Sequence, residues 1–123
     1  MLPLHVPAPL RPYYEAELAA ATAARHARDR TTEWRHLERA HILGQRWALA
    51  HTAVHLRMLG YGLRYGAARE VLGQVPRVVF GFLGSLVGRV PVGNTGGANV
   101  PAEKPMPIPA DLQALLSLVP PGR

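Results

Sequence analysis

Proline sets the limits on where this chain can be regular. Four of its 12 prolines stand at positions 3, 7, 9 and 12, seven stand at or beyond Pro91, and only Pro76 lies between. Proline has no amide proton and a fixed φ, so helix interiors and central strands exclude it. Regular structure is therefore expected in residues 12–90. An extended Pro-rich lead-in (1–11) precedes it, and a Gly/Pro-rich tail (91–123) follows, with room for one short helix at 110–118. A chain of 123 residues predicts one domain, and 48% apolar residues are enough for a core.

The middle zone has helical spacing. One helix is expected at about 13–28, with Pro12 suited to its first turn and Glu15 and Glu17 near its positive end. A second is expected at about 33–43, capped by Thr31 or Thr32 and stopped by Gly44. Its apolar face carries Trp34, Leu37 and His41, at i, i+3 and i+7. A third is expected at about 47–63, with an inward stripe of His51, Val54, His55, Met58 and Leu59. A fourth starts near Gly66, carries Val71, Leu72 and Val75, and is kinked or ended at Pro76; a Gly-weakened piece follows at 78–87. Trp47, at a turn, is expected half exposed.

TTEWRHLERA and GAAREVLGQV align Leu37 with Leu72, a period close to the ~34 residues of tetratricopeptide repeats. The predicted fold is all-α: two tetratricopeptide-like helix–turn–helix hairpins with the Pro/Gly-rich C-terminal extension packed over them. The runs WRHLERAHILGQRWALAHTAVHLRMLGYG, REVLGQVPRVV, GSLVGRVPVGNTGGANV and PMPIPADL resemble a small bacterial family of domains of unknown function, over roughly residues 15–118. Members of that family are often encoded near heavy-metal resistance genes. The resemblance implies that neighbourhood and assigns no residue a role.

Four of the six histidines fall between residues 36 and 55. His51 and His55, at i and i+4, share one helix face. A short turn at 44–47 makes the second and third helices antiparallel neighbours. Pairing them about residue 46 sets His41 opposite His51 and Leu37 opposite His55, with Glu38 one turn from His41. His36 points elsewhere, as an exposed residue does. Three imidazoles and a carboxylate, His41, His51, His55 and Glu38, can thus converge on a transition metal: zinc, copper, nickel or iron. Glu38 would be a fourth ligand or would orient a ring. The same histidines also suit a polar structural network, and the sequence leaves both readings open.

Catalytic signatures are missing. HTAVH has Thr52 where a zincin needs Glu. Both Glu-x-x-His pairs, Glu33/His36 and Glu38/His41, lie on one helix, whereas a di-iron site draws them from two. Ser85 and Ser117 lack a nucleophile elbow. The absence of cysteine removes disulfides and thiolate ligands. The loop GNTGGANV lacks the Walker lysine, so it reads as left-handed turns, with a lid or peptide-contact role open. A non-catalytic metal-binding accessory protein is the leading expectation, and a helical-hairpin interaction module is the alternative.

The net charge of +6 comes from 13 Arg and one Lys spread along the chain. A dispersed charge of this kind describes a solvated surface, and no nucleic-acid partner is expected. The apolar residues of the tail, from Met106 to Leu118, suit a protein partner or a second copy. No signal-peptide pattern is visible, and the longest apolar run (78–88) is too short to span a bilayer, so a cytoplasmic protein without stable membrane insertion is expected.

Overall fold

The computed structural model describes residues 2–120; Met1 and residues 121–123, the outermost parts of the expected lead-in and tail, lie outside the described residues. Among the described residues there are five α-helices and no strand: α1 (Arg11–His26), α2 (Arg30–Gly44), α3 (Ala48–Arg64), α4 (Ala68–Leu86) and α5 (Ala110–Leu116).

Local chemistry explains the boundaries. Pro12 occupies the first turn of α1, where an amide proton has no intrahelical partner to lose. The α2 cap is Asp29, not the expected Thr31 or Thr32: its carboxylate accepts from the Thr32 amide at 3.2 Å. The acid suits that place because it also faces the positive end of the helix dipole. No side chain caps α3. Its first amides, Ala48 and Leu49, donate instead to the Pro3 and Leu4 carbonyls at 2.7 and 3.1 Å. The lead-in is therefore a strap across the start of α3, anchored by the buried side chains of Val6 and Leu10.

Helix α1 packs on α2, α3 packs on α4, and the two pairs meet through α2 and α3. Leu37, Leu43, Val54 and Met58 form the centre of the core. Helix α5 packs on α2 and inserts Leu112, which is fully buried. Trp47 departs from its expected half-exposure: it is buried in this core, with the Arg46 guanidinium 4.9 Å from its ring centre. The lead-in folded over this turn removes the ring from solvent. Trp34 is half-buried at the core edge, 4.7 Å from the Tyr61 ring.

Helix α4 corrects one expectation. It runs unbroken through Pro76. Proline frees the carbonyl four residues back, here that of Leu72, at a typical cost of about 3 kcal/mol. Both residues are on the exposed side, where water satisfies that carbonyl. Its large apolar residues face outward, the reverse of the usual burial. Leu72 is 75% exposed and Phe80 69%, whereas Gln74 and Ser85 are 0% exposed. The inward face of α4 is polar because it packs against the histidines of α3.

Candidate metal centre

His41 stands in the last turn of α2, and His51 and His55 stand one turn apart in the first half of α3. The turn between the helices points all three rings inward, and all three are buried. Their Nε2 atoms form a nearly equilateral triangle: 2.9 Å from His41 to His51, 3.0 Å from His51 to His55 and 3.1 Å from His41 to His55. These three residues form a group able to hold a metal ion.

The other ring nitrogens fix the tautomers. His41 Nδ1 donates to the Asn94 carbonyl at 2.7 Å, an oxygen that can only accept. His55 Nδ1 donates to Gln74 Oε1 at 2.6 Å. The Gln74 amide orientation is set by its NH2 group, which donates to the Gly96 carbonyl at 2.9 Å and to Glu70 at 2.6 Å. His51 Nδ1 lies 2.8 Å from Ser85 Oγ, whose proton goes to the Gln45 carbonyl at 2.6 Å. The serine oxygen therefore accepts from His51. With every Nδ1 protonated, each neutral ring presents a bare Nε2 lone pair to the other two.

Electrostatics keep the rings neutral. Burial pushes His51 down to about 3 and His55 to about 4. Burial also holds His41 well below the ordinary histidine range, and the neighbouring His55 and His51 lower it further. A buried charge is costly unless it is paired, and no carboxylate belongs to the group. Three mutually repelling lone pairs are thus held together by their surroundings. The edges of the rings line a cavity of about 210 Å³, reached between α4 and the loops at 89–103. A larger cavity of about 360 Å³ near Glu33 and Arg64 contains no such group.

Of the four residues singled out in the sequence, His41, His51 and His55 come together. Glu38 stands outside the group. Burial raises its pKa, and hydrogen bonds with Trp34 and Thr95 oppose that rise. His36 is half-buried rather than exposed, with Nδ1 2.9 Å from a Glu17 carboxylate oxygen on α1.

Sequence reasoning did not find Gln74, Ser85 or Asn94, the three residues that hold the rings. Asn94 was visible only as part of a turn-forming loop. That loop does contain left-handed turns, with Gly93 and Gly96 at φ +81° and +88°. Its Asn94 side chain knits it together, accepting from the Gly96 amide at 2.8 Å and donating to the Pro101 and Lys104 carbonyls. Gly96 is required at its position: a Cβ there would stand 2.5 Å from His41 Cδ2. Among the described residues no helix is long and apolar enough to cross a membrane.

The family model described as "Protein of unknown function (DUF3703)" matches residues 8–116, which covers all five helices and the three histidines. No curated protein and no solved structure matches the chain.

Proposed function

The chain belongs to that family of unknown function, and from its site we propose that it is a metal-binding accessory protein that holds a divalent transition metal through His41, His51 and His55. The observation carrying this reading is the Nε2 triangle, 2.9–3.1 Å on each edge, with every Nδ1 already donating to a fixed acceptor. Repulsion among three bare lone pairs is relieved by a cation at their common focus. A proton is a poor candidate, since burial disfavours the charged rings. An imidazole-preferring metal such as zinc, copper, nickel or iron supplies the charge and can bond to all three.

The dimensions suit such an ion. Nε2 atoms 2.9–3.1 Å apart would let His41, His51 and His55 share one ion at bonds of about 2.0–2.1 Å. Acceptors behind each ring are the usual means of orienting metal-bound histidine and raising its basicity. The binding role is argued from what surrounds the ligands: no glutamate follows His51 to act as a base. The deciding experiment is elemental analysis of untagged protein together with zinc titration. One equivalent of bound metal, lost in His51→Ala and His55→Ala, is the expected result. An inert titration with zinc, copper, nickel and iron alike would overturn the reading.

A second reading, an interaction module of tetratricopeptide-like hairpins with a purely structural histidine network, is favoured by the outer face of α4. Leu72, Val75, Val79, Phe80, Leu83 and Val87 are all exposed there. An apolar stripe of this kind commonly marks a contact surface. Light scattering on the wild type and on Phe80→Glu tests it, with self-association lost in the variant as the expected result.

A further inference from the structure

Three neutral imidazoles leave a bound dication with its full charge, and the cavity they face adds more positive charge. Arg77 and Arg89 line it, and Glu103 is its only carboxylate. Glu103 lies outside the ligating group and is exposed on its loop. The Arg77 guanidinium is half-buried, and its two bonds go to main-chain oxygens, Gly73 at 2.8 Å and Val100 at 2.9 Å. Among the described residues no carboxylate pairs with Arg77 or Arg89. Five N–H groups make a guanidinium, so Arg77 keeps donors in reserve.

Arg77 lines the same cavity as the three imidazoles. Its fixed positive charge opposes a second cation there unless an anion lies between them. The cavity, at about 210 Å³, has room for a ligand of a few heavy atoms, given about 30 Å³ per water.

We propose that the open coordination position of the His41–His51–His55 metal takes a small oxyanion, one oxygen on the metal and another held by Arg77 at the cavity wall. The proposal rests on the metal reading above. It adds the class of the exogenous ligand, a carboxylate or phosphate, and a positioning role for Arg77. Binding would be a ligand exchange, the oxyanion taking a place solvent would otherwise fill, with no bond broken in the anion. Arginine suits the task because its planar fork matches two oxygens of one anion.

The test uses full-length protein loaded with Co²⁺, whose visible absorption reports changes in its ligands. Acetate and inorganic phosphate are titrated separately, against sodium chloride at matched ionic strength. The expected result is a saturable spectral change with one or both oxyanions and none with chloride. Saturation by acetate alone assigns a carboxylate, and by phosphate alone a phosphate. Arg77→Gln weakens the response about 10- to 100-fold, the scale of a lost hydrogen bond to a charged group, while cobalt still binds. Arg89→Gln, at an exposed position just after α4, provides a second variant should Arg77→Gln fail to fold, and weakens the response less.

Cobalt that binds and ignores both oxyanions overturns this inference and leaves the metal site standing. So does a response that survives unchanged in both arginine variants. A response that appears only in Glu103→Gln shows that Glu103 itself fills the position, and also overturns it. Failure to bind cobalt, zinc, copper, nickel or iron removes both readings together.

Discussion

Ser85 stands directly behind His51: its hydroxyl accepts from the ring at 2.8 Å and passes its own proton to the Gln45 carbonyl at the end of α2. One side chain on α4 thus fixes a ligand on α3 and ties α4 to the turn that aligns His41 with its partners. Ser85→Ala removes both bonds in a fully buried place. The expected cost is about 1–3 kcal/mol for the buried groups left unpaired. Metal affinity is expected to fall about 10- to 100-fold, as when other groups behind a ligating histidine are removed. Urea denaturation and zinc titration of the variant check the two effects separately.

Metal should stabilise the fold as a whole, because the three ligands belong to two packed helices and meet only when these are folded. At a free zinc concentration a hundredfold above its dissociation constant, the gain is about 2.7 kcal/mol. For a domain of this size that raises the Tm by about 10 °C. Thermal melting with and without zinc measures it, and a chelator should reverse it. In His55→Ala the shift should fall to a small fraction of the wild-type value.

Gly96→Ala tests whether the 93–100 loop is part of the site or merely lies against it. The backbone there is left-handed, and the added methyl carbon meets His41 at 2.5–2.9 Å from three ring atoms. The loop must move away, taking with it the Gly96 carbonyl that orients Gln74 and straining the Asn94 carbonyl that holds His41. Destabilisation of more than about 1 kcal/mol is expected, with a parallel loss of zinc affinity. Unchanged affinity would show that the loop plays no part in setting the rings.

Tyr14 gives the fold an alkaline limit. Its hydroxyl donates to the Ala50 carbonyl on α3 at 2.9 Å, and burial pushes its pKa up to about 12 from an ordinary 10. A group with a raised folded pKa contributes its full stabilisation below its unfolded pKa and loses it as pH climbs to the folded value. Stability should therefore decline between pH 10 and 12, by a few kcal/mol at most, on the order of 1.4 kcal/mol for each unit of difference. Denaturant midpoints across that range are the measurement. Tyr14→Phe should start less stable at neutral pH and show a flatter alkaline decline.

The histidine triangle was legible because its information is local. The i, i+4 pair His51/His55 and the short turn before them fix a face and a direction, and His41 follows from antiparallel pairing. The supporting residues were not legible for the opposite reason. Gln74, Ser85 and Asn94 are separated from their histidines by 19, 34 and 53 positions, and none sits in a repeating pattern.

Helix α4 shows a different limit. Periodicity reveals that a helix has two unlike faces, and apolar burial then normally decides which one turns inward. Here a polar cluster occupied the interior beside α4, so Gln74 and Ser85 went in and Leu72 and Val75 stayed out. Glu38 lies outside the three-histidine group, and its hydrogen bonds go to Trp34 and Thr95.

The strap from Pro3 and Leu4 to the first amides of α3 reaches further than its two bonds suggest. His51 lies within a turn of those amides. Clipping the front of the chain by a protease would return both donors to water and fray the helix from the end that carries this ring. The front of the chain, though it lies outside the three-histidine group, thereby helps to hold the start of α3 in place, and a nick there is expected to loosen the His51 end of the triangle.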